Sequence, residues 1–529
     1  MRLLSLMFAM LVLAGCGSHT PAARTPSPSD SSADPGLSSG VVLTHAGAIR
    51  GLVTPAYLLF QGIPYAAPPV GALRWQPPQP APAWSGVRDA TMPGTRCVQD
   101  TARDPDFGRT VGEDCLSVSV WAPRAAPSQA GRPVMVWFHG GGFANGSADI
   151  YGAQGLVTRG DIIVVTVNYR LGAPGFLAHP GIGGAGNYGL VDQQAALRWV
   201  RDSIASFGGD PTKVTIAGQS AGGMSVCDHL VAPGSAGLFR SAIIASGPCS
   251  AQAGVVSAQR DSIAYAAARG CPDGAGVAAC LRALPATRLS EPPWFYRIGS
   301  NTLTGPAVGT PVLPVDPVTT MAAGDAARVP VLIGTTHDEF TLFMALEYLR
   351  RGRVPTAAEY PGMLAEVFGP HAGAVGAHYR IERFGGDVAL AYSAAVTDAY
   401  FSCVADRIGD GQATVAPVYA YEFNDPRPPT PEPFHRVPFP VGASHALDLR
   451  YVFAVGGAPR KDLLQQRLSD QMIDYWTSFV NTGIPGFAGG PVWPAINGHL
   501  DDGPRMSFEP NGARVITTFE RDHQCAFWA

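Results

Sequence analysis

A serine lies where the sequence predicts a sharp turn between a strand and a helix. Residues 213–217 form a β-branched run typical of a buried strand, and a G-x-S-x-G segment, residues 218–222, follows at once. The small residues after it favour a helix that begins directly behind the hydroxyl. Such a turn exposes the serine oxygen at a helix N-terminus, where negative charge is stabilised. The pattern therefore predicts Ser220 as a nucleophile.

A glycine-rich loop upstream could stabilise the oxyanion that such a nucleophile produces. Residues 133–138 form an apolar run typical of a strand, and residues 139–143 have the sequence HGGGF. Glycines allow the backbone itself to approach a substrate oxygen, since no side chain intervenes. We predict that the N–H groups of Gly141, Gly142 and Ala221 form an oxyanion hole.

A serine nucleophile also needs a carboxylate and a base, and local pattern leaves both choices open. Residues 329–335 predict a buried strand, and Asp338 and Glu339 both follow its C-terminal end, where the acid is expected. His445 lies on a loop that enters an apolar segment, whereas we expect His523, near the C-terminus, on the surface. The downstream histidines that could be the base are His371, His378, His435, His445, His499 and His523.

The N-terminal residues are typical of an exported protein. Residues 1–15 contain one positive charge and an apolar stretch too short for a membrane span, which needs about 20 residues. The ending Leu13-Ala14-Gly15-Cys16 resembles the bacterial lipobox, in which the cysteine is lipidated. We expect residues 1–15 to be a lipoprotein signal peptide and Cys16 to anchor the protein at the extracytoplasmic membrane surface. The protein would be secreted if Cys16 is not lipidated.

Composition divides the rest of the chain into two parts. Residues 16–40 are rich in Ser and Pro and predict a flexible tether. Residues 41–529 contain no second linker, repeat or predicted membrane span, so we expect one large domain. The formal net charge is −4, and the sequence contains no basic stripe. Both observations argue against a nucleic-acid partner.

Nine cysteines in an exported chain favour disulfides over a metal centre. Cys16 is assigned to the lipid, and the other eight lie beyond the tether. No C-x-x-C occurs and the histidines are scattered, so the sequence predicts no metal site. The chemistry of an activated serine requires no cofactor either.

Several further motifs connect these features to a known family. They are Glu113-Asp114-Cys115-Leu116, residues 138–143, Asn168-Tyr169-Arg170, residues 186–193, residues 207–211 and the G-x-S-x-G segment. In this order and at these separations they resemble the type-B carboxylesterase family, which includes the cholinesterases and bacterial para-nitrobenzyl esterases. The resemblance covers essentially all of the chain after the tether. It implies an α/β-hydrolase fold, with a mostly parallel central sheet flanked by helices and with long insertions.

The resemblance also resolves the open choices of residues. The acid of the family is the last carboxylate of a G-x-x-x-D-E element, which implies Glu339, and its base matches His445. It implies two buried ion pairs, Arg74 with Glu113 and Arg170 with Asp192. The implied disulfides are Cys97–Cys115, Cys271–Cys280 and Cys403–Cys525, whereas pairing of Cys227 with Cys249 stays open.

The function implied by the resemblance is hydrolysis of small-molecule carboxylic esters through an acyl-serine. Gln219 replaces the Glu of many relatives, and residues 97–115 contain no Trp, the residue that binds quaternary ammonium groups in cholinesterases. Both differences argue against choline esters, and we expect short-to-medium acyl chains. A membrane contact is expected through the N-terminal lipid only, and the oligomeric state is left open.

Two other functions are compatible with the same fold. A lipase acting on long-chain esters is one, because pocket depth depends on insertions such as residues 285–310 and 340–375. A non-catalytic adhesion module is the other, although the chain retains the serine, the carboxylate and the histidine. Aromatic residues that could line a pocket are Trp294, Phe295, Tyr296, Phe340 and Phe343.

Overall fold

An 11-stranded sheet forms the centre of the protein, as seen in a computed structural model. The structure describes residues 37–100, 109–125, 131–183, 186–290, 305–496 and 503–529. These residues belong to one unit that extends from Pro35 to Ala529. A 3-10 turn at Leu37–Ser39 lies just before the predicted domain start at residue 41. Cys16, His499 and the aromatic residues 294–296 lie outside the described residues.

The strands of the described residues are numbered in chain order. They are β1 (Val41–Thr44), β2 (Gly47–Arg50), β3 (Leu52–Val53), β4 (Tyr57–Pro64), β5 (Val87–Asp89), β6 (Arg96–Cys97), β7 (Val111–Gly112), β8 (Ser117–Pro123), β9 (Arg132–Phe138), β10 (Ile163–Val167), β11 (Gly209–Gln219), β12 (Ser241–Ala245), β13 (Ala253–Gly254), β14 (Ala307–Val308), β15 (Val331–Thr336), β16 (Val418–Phe423), β17 (Arg505–Glu509) and β18 (Gly512–Ile516).

The α-helices are numbered in the same way. They are α1 (Gln154–Gly160), α2 (Gly172–Phe176), α3 (Tyr188–Ser203), α4 (Ala221–Val231), α5 (Val255–Ala268), α6 (Val277–Ala283), α7 (Pro317–Ala322), α8 (Thr341–Arg351), α9 (Tyr360–Phe368), α10 (Ala372–His378), α11 (Val388–Thr397), α12 (Cys403–Ala413), α13 (Leu449–Val452), α14 (Leu463–Thr482), α15 (Phe519–Asp522) and α16 (Cys525–Trp528).

The large sheet is parallel in its middle and antiparallel at both edges. Its strand order is β18-β17-β16-β15-β12-β11-β9-β10-β8-β4-β3. Every pair from β17 to β10 is parallel, whereas β18 and the strands beyond β10 pair antiparallel. The prediction of a mostly parallel sheet is confirmed. Because parallel strands end at the same edge, the loops after β9, β11, β15 and β16 meet there.

Successive side chains of the central strands point to opposite faces of the sheet, so each face carries an apolar layer. In β9, Val134 and Val136 pack in one layer, and Met135 and Trp137 in the other. Helices α3, α4, α7 and α12 cover the first layer, and α1, α13 and α14 cover the second. The sheet is therefore buried on both faces, as expected for a doubly covered α/β protein.

A long apolar segment, Val388–Ala413, crosses this core. It comprises α11, a π-helical turn at Asp398–Ser402, and α12. Its length and mean hydropathy would suffice for a membrane span, but 78% of its most apolar window is buried inside the protein. It therefore has the properties of a core helix.

Four disulfides lie within the described residues. The structure contains all three pairings implied by the resemblance, Cys97–Cys115, Cys271–Cys280 and Cys403–Cys525. It also pairs Cys227 of α4 with Cys249, the choice that the sequence left open. The two ion pairs are formed as well, with N–O distances of 2.6 Å for Arg74–Glu113 and 2.7 Å for Arg170–Asp192.

Candidate active site

Ser220 occupies the tight turn between β11 and α4. Its φ is +58°, in the left-handed region that non-glycine residues rarely adopt. Its N–H donates to the carbonyl oxygen of Ala245, at the end of β12, at 3.0 Å. This bond to the neighbouring strand holds a strained backbone in place, as is common where a side chain must be aimed.

The two glycines of the G-x-S-x-G segment are required by close backbone contacts. A Cβ at Gly218 would collide with the carbonyl oxygen of Gly222. A Cβ at Gly222 would in turn collide with the carbonyl oxygen of Phe138, the last residue of β9. The start of α4 is thus pressed against the strand that leads into the glycine-rich loop.

The glycine-rich loop presents free backbone donors beside this turn. Gly141 and Gly142 have φ values of +109° and +60°, and the loop closes through hydrogen bonds from Ala144 and Asn145 to the carbonyl of Gly141. Within the described part of the chain, the N–H groups of Gly141, Gly142 and Ala221 donate to no acceptor. Unused amides of this kind are what an oxyanion hole requires.

His139 fixes the base of that loop. Its ring stacks on Tyr169 with centroids 4.4 Å apart, and the Tyr169 hydroxyl donates to its carbonyl oxygen at 2.6 Å. Burial lowers the pKa of His139 to about 4, so the imidazole is neutral at neutral pH. His139 therefore packs and orients the loop without adding charge beside the donors.

Glu339 and His445 form a buried pair. His445 Nδ1 donates to Glu339 Oε2 at 2.5 Å, and the two residues are 4% and 0% exposed, respectively. The other carboxylate oxygen of Glu339 accepts from the Thr336 N–H at 2.8 Å. Of the two acids that spacing allowed, Glu339 is the one that contacts His445.

Asp338 has a different role, which the sequence did not indicate. Its Oδ2 accepts from the Ala443 N–H at 2.8 Å, and its own N–H donates to the Ala443 carbonyl at 2.9 Å. These two bonds fasten the loop that carries His445 to the loop that carries Glu339. The only sequence feature related to this function is that Asp338 adjoins Glu339. Adjacency does not show which of the two carboxylates links the loops and which one contacts the histidine.

Gln219, which the sequence analysis noted as a replacement for Glu, has a contact that the sequence did not indicate. Its side-chain amide donates to His445 Nε2 at 3.1 Å, and the residue is buried. Because Glu339 accepts from Nδ1, Nε2 carries the lone pair, as a general base requires. Gln219 directly precedes Ser220, so the lone pair of His445 faces the turn that carries the hydroxyl.

Aromatic rings pack against His445, and a second buried carboxyl, that of Asp448, interacts with Glu339. Phe343 and Phe401 lie against its ring, with centroids 5.2 and 5.3 Å away. Phe340, one of the predicted pocket residues, packs 4.8 Å from Phe343. Burial and then the negative charge of Glu339 raise the pKa of Asp448 to about 7.

The remaining downstream histidines lie elsewhere. His371 and His435 are exposed, and His378 is half-buried. The expectation that His523 lies on the surface is wrong, because it is 3% exposed. Its two ring nitrogens lie 2.6 Å from Asp398 Oδ1 and 2.6 Å from Glu422 Oε1. Carboxylates from two distant segments bury it, which proximity to the C-terminus could not reveal.

The chain is similar to proteins of one known family over most of its length. The carboxylesterase family matches residues 38–528. The chain is 31% identical to rat "Pyrethroid hydrolase Ces2e" (92% of this chain, 88% of the relative) and 32% identical to mouse "Acylcarnitine hydrolase" (89% and 88%). It is also 31% identical to human "Cocaine esterase" (93% and 91%). The chain belongs to the carboxylesterase family and is a serine carboxylic-ester hydrolase.

Proposed function

We propose that Ser220, His445 and Glu339 form the catalytic triad of this ester hydrolase. The observation that carries the proposal is the Glu339–His445 hydrogen bond of 2.5 Å, together with the contact of 3.1 Å from Gln219 to the opposite nitrogen. Glu339 fixes the tautomer, and Nε2, whose lone pair accepts from Gln219, faces the residue that adjoins Ser220. An imidazole held by a carboxylate at one nitrogen can accept the proton of a nearby hydroxyl at the other.

In the first half of the reaction the serine is acylated. His445 Nε2 accepts the Ser220 proton while the serine oxygen bonds to the ester carbonyl carbon. The N–H groups of Gly141, Gly142 and Ala221 hold the resulting oxyanion. The tetrahedral intermediate collapses, the bond from the carbonyl carbon to the alcohol oxygen breaks, and the alcohol leaves with the proton from His445.

In the second half, water repeats these steps on the acyl-serine. His445 accepts a proton from water, and the hydroxide oxygen bonds to the acyl carbon. The bond to Ser220 then breaks, and the serine oxygen recovers its proton from His445. Throughout, Glu339 stabilises the imidazolium without accepting its proton.

The proposed substrates are uncharged esters with short-to-medium acyl chains. Support comes from the apolar rings of Phe343 and Phe401 beside His445, from the neutral Gln219, and from the absence of Trp between Cys97 and Cys115. A series of p-nitrophenyl esters tests this proposal, with a choline ester alongside. Highest kcat/KM on the long chains would identify a lipase instead, and efficient choline-ester hydrolysis would contradict the proposal.

A fluorophosphonate probe tests the assignment of the nucleophile. The wild type is expected to be labelled and Ser220→Ala to be neither labelled nor active. Ser225→Ala is the matched control, because it removes a buried hydroxyl from α4, the helix that begins directly after Ser220; this hydroxyl donates to the Ala221 carbonyl at 3.1 Å. Labelling of Ser220→Ala would overturn the assignment, and an unlabelled wild type would support an adhesion module.

We also propose that the protein is exported and anchored through lipidated Cys16. The lipobox-like sequence before Cys16 and four disulfides, which persist in oxidising compartments, support this location. Two or more acyl chains would give stable anchoring. The wild type is expected in the membrane fraction and Cys16→Ala in the soluble fraction. A Cys16→Ala variant that still partitions with membranes contradicts this proposal.

A further inference from the structure

Three side chains that the hydrolytic mechanism does not use converge near the ends of two central strands. His337 follows β15, Glu422 lies on β16, and His523 follows α15. One possible ligand atom of each lies within 4.8 Å of those of the other two. We call these three residues the His523 cluster. They come from segments about a hundred residues apart, so the fold and not local sequence assembles them.

Both histidines of the cluster are oriented by carboxylates on their Nδ1 atoms. His523 Nδ1 donates to Asp398 Oδ1 at 2.6 Å, and His337 Nδ1 donates to Asp338 Oδ1 at 2.9 Å. A carboxylate on the remote nitrogen is the usual support of a metal-binding histidine, because it fixes the ring and makes the other nitrogen more basic. In both residues Nε2 is therefore the atom that could bind a metal ion, and in His523 this atom contacts Glu422, another member of the cluster.

The carboxylates around the cluster are themselves held. The Tyr379 hydroxyl donates to Asp398 Oδ2 at 2.8 Å, and the Asn424 side chain donates to Glu422 Oε2 at 2.6 Å. Glu422 Oε1 is the oxygen that faces His523 Nε2, at 2.6 Å. These hydrogen bonds from Tyr379 and Asn424 thus hold the two carboxylates that contact His523.

The cluster is open to solvent on one side. A cleft of about 270 Å³ adjoins it and is lined by His337, Glu422, Ser507, Glu509 and Asp522, among others. The His337 side chain is 47% exposed, whereas His523 and Glu422 are buried. An ion could therefore enter from the cleft and reach the exposed His337 first.

We propose that His337, Glu422 and His523 bind a Zn²⁺ ion through two imidazole nitrogens and one carboxylate oxygen. Zn²⁺ takes such a set with bonds of about 2.0–2.2 Å and leaves a fourth position for water. Mg²⁺ and Ca²⁺ prefer oxygen ligands, so the two imidazoles select against them. A move of the exposed His337 toward the buried pair would bring the three ligand atoms to bonding distance.

On binding, Zn²⁺ replaces a proton on His523, and no atom changes its oxidation state. The N–H bond at His523 Nε2 breaks, its proton passes to solvent, and the nitrogen lone pair bonds to Zn²⁺. Glu422 Oε1 then bonds to the ion in place of that proton. The site lies outside the proposed triad and needs none of its residues.

The experiment uses full-length protein freed of metal with a chelator and titrated with Zn²⁺ against a chromophoric competitor. One ion per chain is expected, with binding weakened by about 100-fold in His337→Ala and in Glu422→Gln. His337→Ala removes an exposed ring and leaves the buried His523 in place, so it is expected to fold. His435→Ala, which removes another exposed histidine, is the matched control and is expected to bind as the wild type does.

A second titration separates this site from the proposed active site. His445→Gln removes the other histidine that lies on a buried carboxylate, and it is expected to keep full Zn²⁺ affinity. Co²⁺ bound in place of Zn²⁺ is expected to give visible absorption that His337→Ala abolishes. Absence of stoichiometric Zn²⁺ binding by the wild type would overturn the proposal, as would unchanged affinity in both cluster variants.

Discussion

His445 and His523 are both buried histidines on carboxylates, but their second nitrogens face different groups. His445 has Glu339 on one side and the neutral amide of Gln219 on the other. His523 lies between two carboxylates, Asp398 and Glu422. Burial alone would lower the pKa of His523, but the charges and hydrogen bonds of these carboxylates raise it to about 10.

A third histidine completes the comparison. His229 is buried between Ser235 and Gln193, with no carboxylate on either nitrogen, and burial lowers its pKa to about 3. His229 is therefore held neutral and His523 charged. His445 is intermediate between these two cases, because it has a carboxylate at Nδ1 and a neutral amide at Nε2.

The largest expected effect tests the carboxylate of His445. Glu339→Gln keeps the shape of the side chain but removes the charge that stabilises the imidazolium, and its amide can favour the wrong tautomer. We expect kcat on a p-nitrophenyl ester to fall by about 10⁴-fold. The measurement is steady-state kinetics on protein whose folding is checked by circular dichroism. A loss below tenfold would remove Glu339 from the triad.

Replacing a carboxylate that contacts His523 with the isosteric amide is expected to lower the stability of the protein. Asp398→Asn leaves a buried charged group with one carboxylate instead of two. The free energy of unfolding should fall by about 3 kcal/mol, as expected when a buried pair loses one partner. Urea unfolding measures this loss, and kcat of the folded protein should change far less than in Glu339→Gln. An equal loss of kcat in both variants would contradict the comparison.

Because His229 is held neutral in the folded protein, we expect it to make the free energy of unfolding depend on pH. The unfolded chain protonates this residue below pH 6.5, whereas folded His229 stays neutral down to about pH 3. Its contribution is therefore complete above pH 6.5 and is lost as the pH falls, by roughly 1 kcal/mol for each pH unit. Urea unfolding of the wild type and of His229→Gln between pH 6.5 and 4 measures the difference. Parallel pH profiles of the two proteins would contradict it.

The smallest effect concerns the second nitrogen of His445. Gln219→Glu places a negative charge 3.1 Å from Nε2, which resembles the environment of His523. The acidic limb of the pH–rate profile should move by about one pH unit to higher pH, because the charge favours the imidazolium. Gln219→Met, which is similar in size but uncharged, is the control and should leave that limb in place. Movement in both variants would assign the shift to packing.

Local sequence predicted those parts of the site whose geometry is local. The strained turn at Ser220 and the contact of Gly218 with Gly222 follow from a few neighbouring residues, and so does the bend of the glycine-rich loop. The parallel sheet and the family were predicted and are confirmed. In these regions, local backbone geometry explains why each residue type is present.

Where distant segments meet, the sequence was less informative. The difference between Asp338 and Glu339 depends on the loop at Ala443, about a hundred residues later. The burial of His523 depends on Asp398 and Glu422, which no pattern near the C-terminus indicates. Pairing of Cys227 with Cys249 likewise needed the relative position of α4 and the segment after β12.

The contact between Gly222 and the Phe138 carbonyl has a consequence for how this enzyme can diversify. Position 222 and the end of β9 are in direct backbone contact, so a methyl group added there would shift both the proposed nucleophile and the proposed amide donors. Mutational libraries directed at this junction should yield mostly inactive protein.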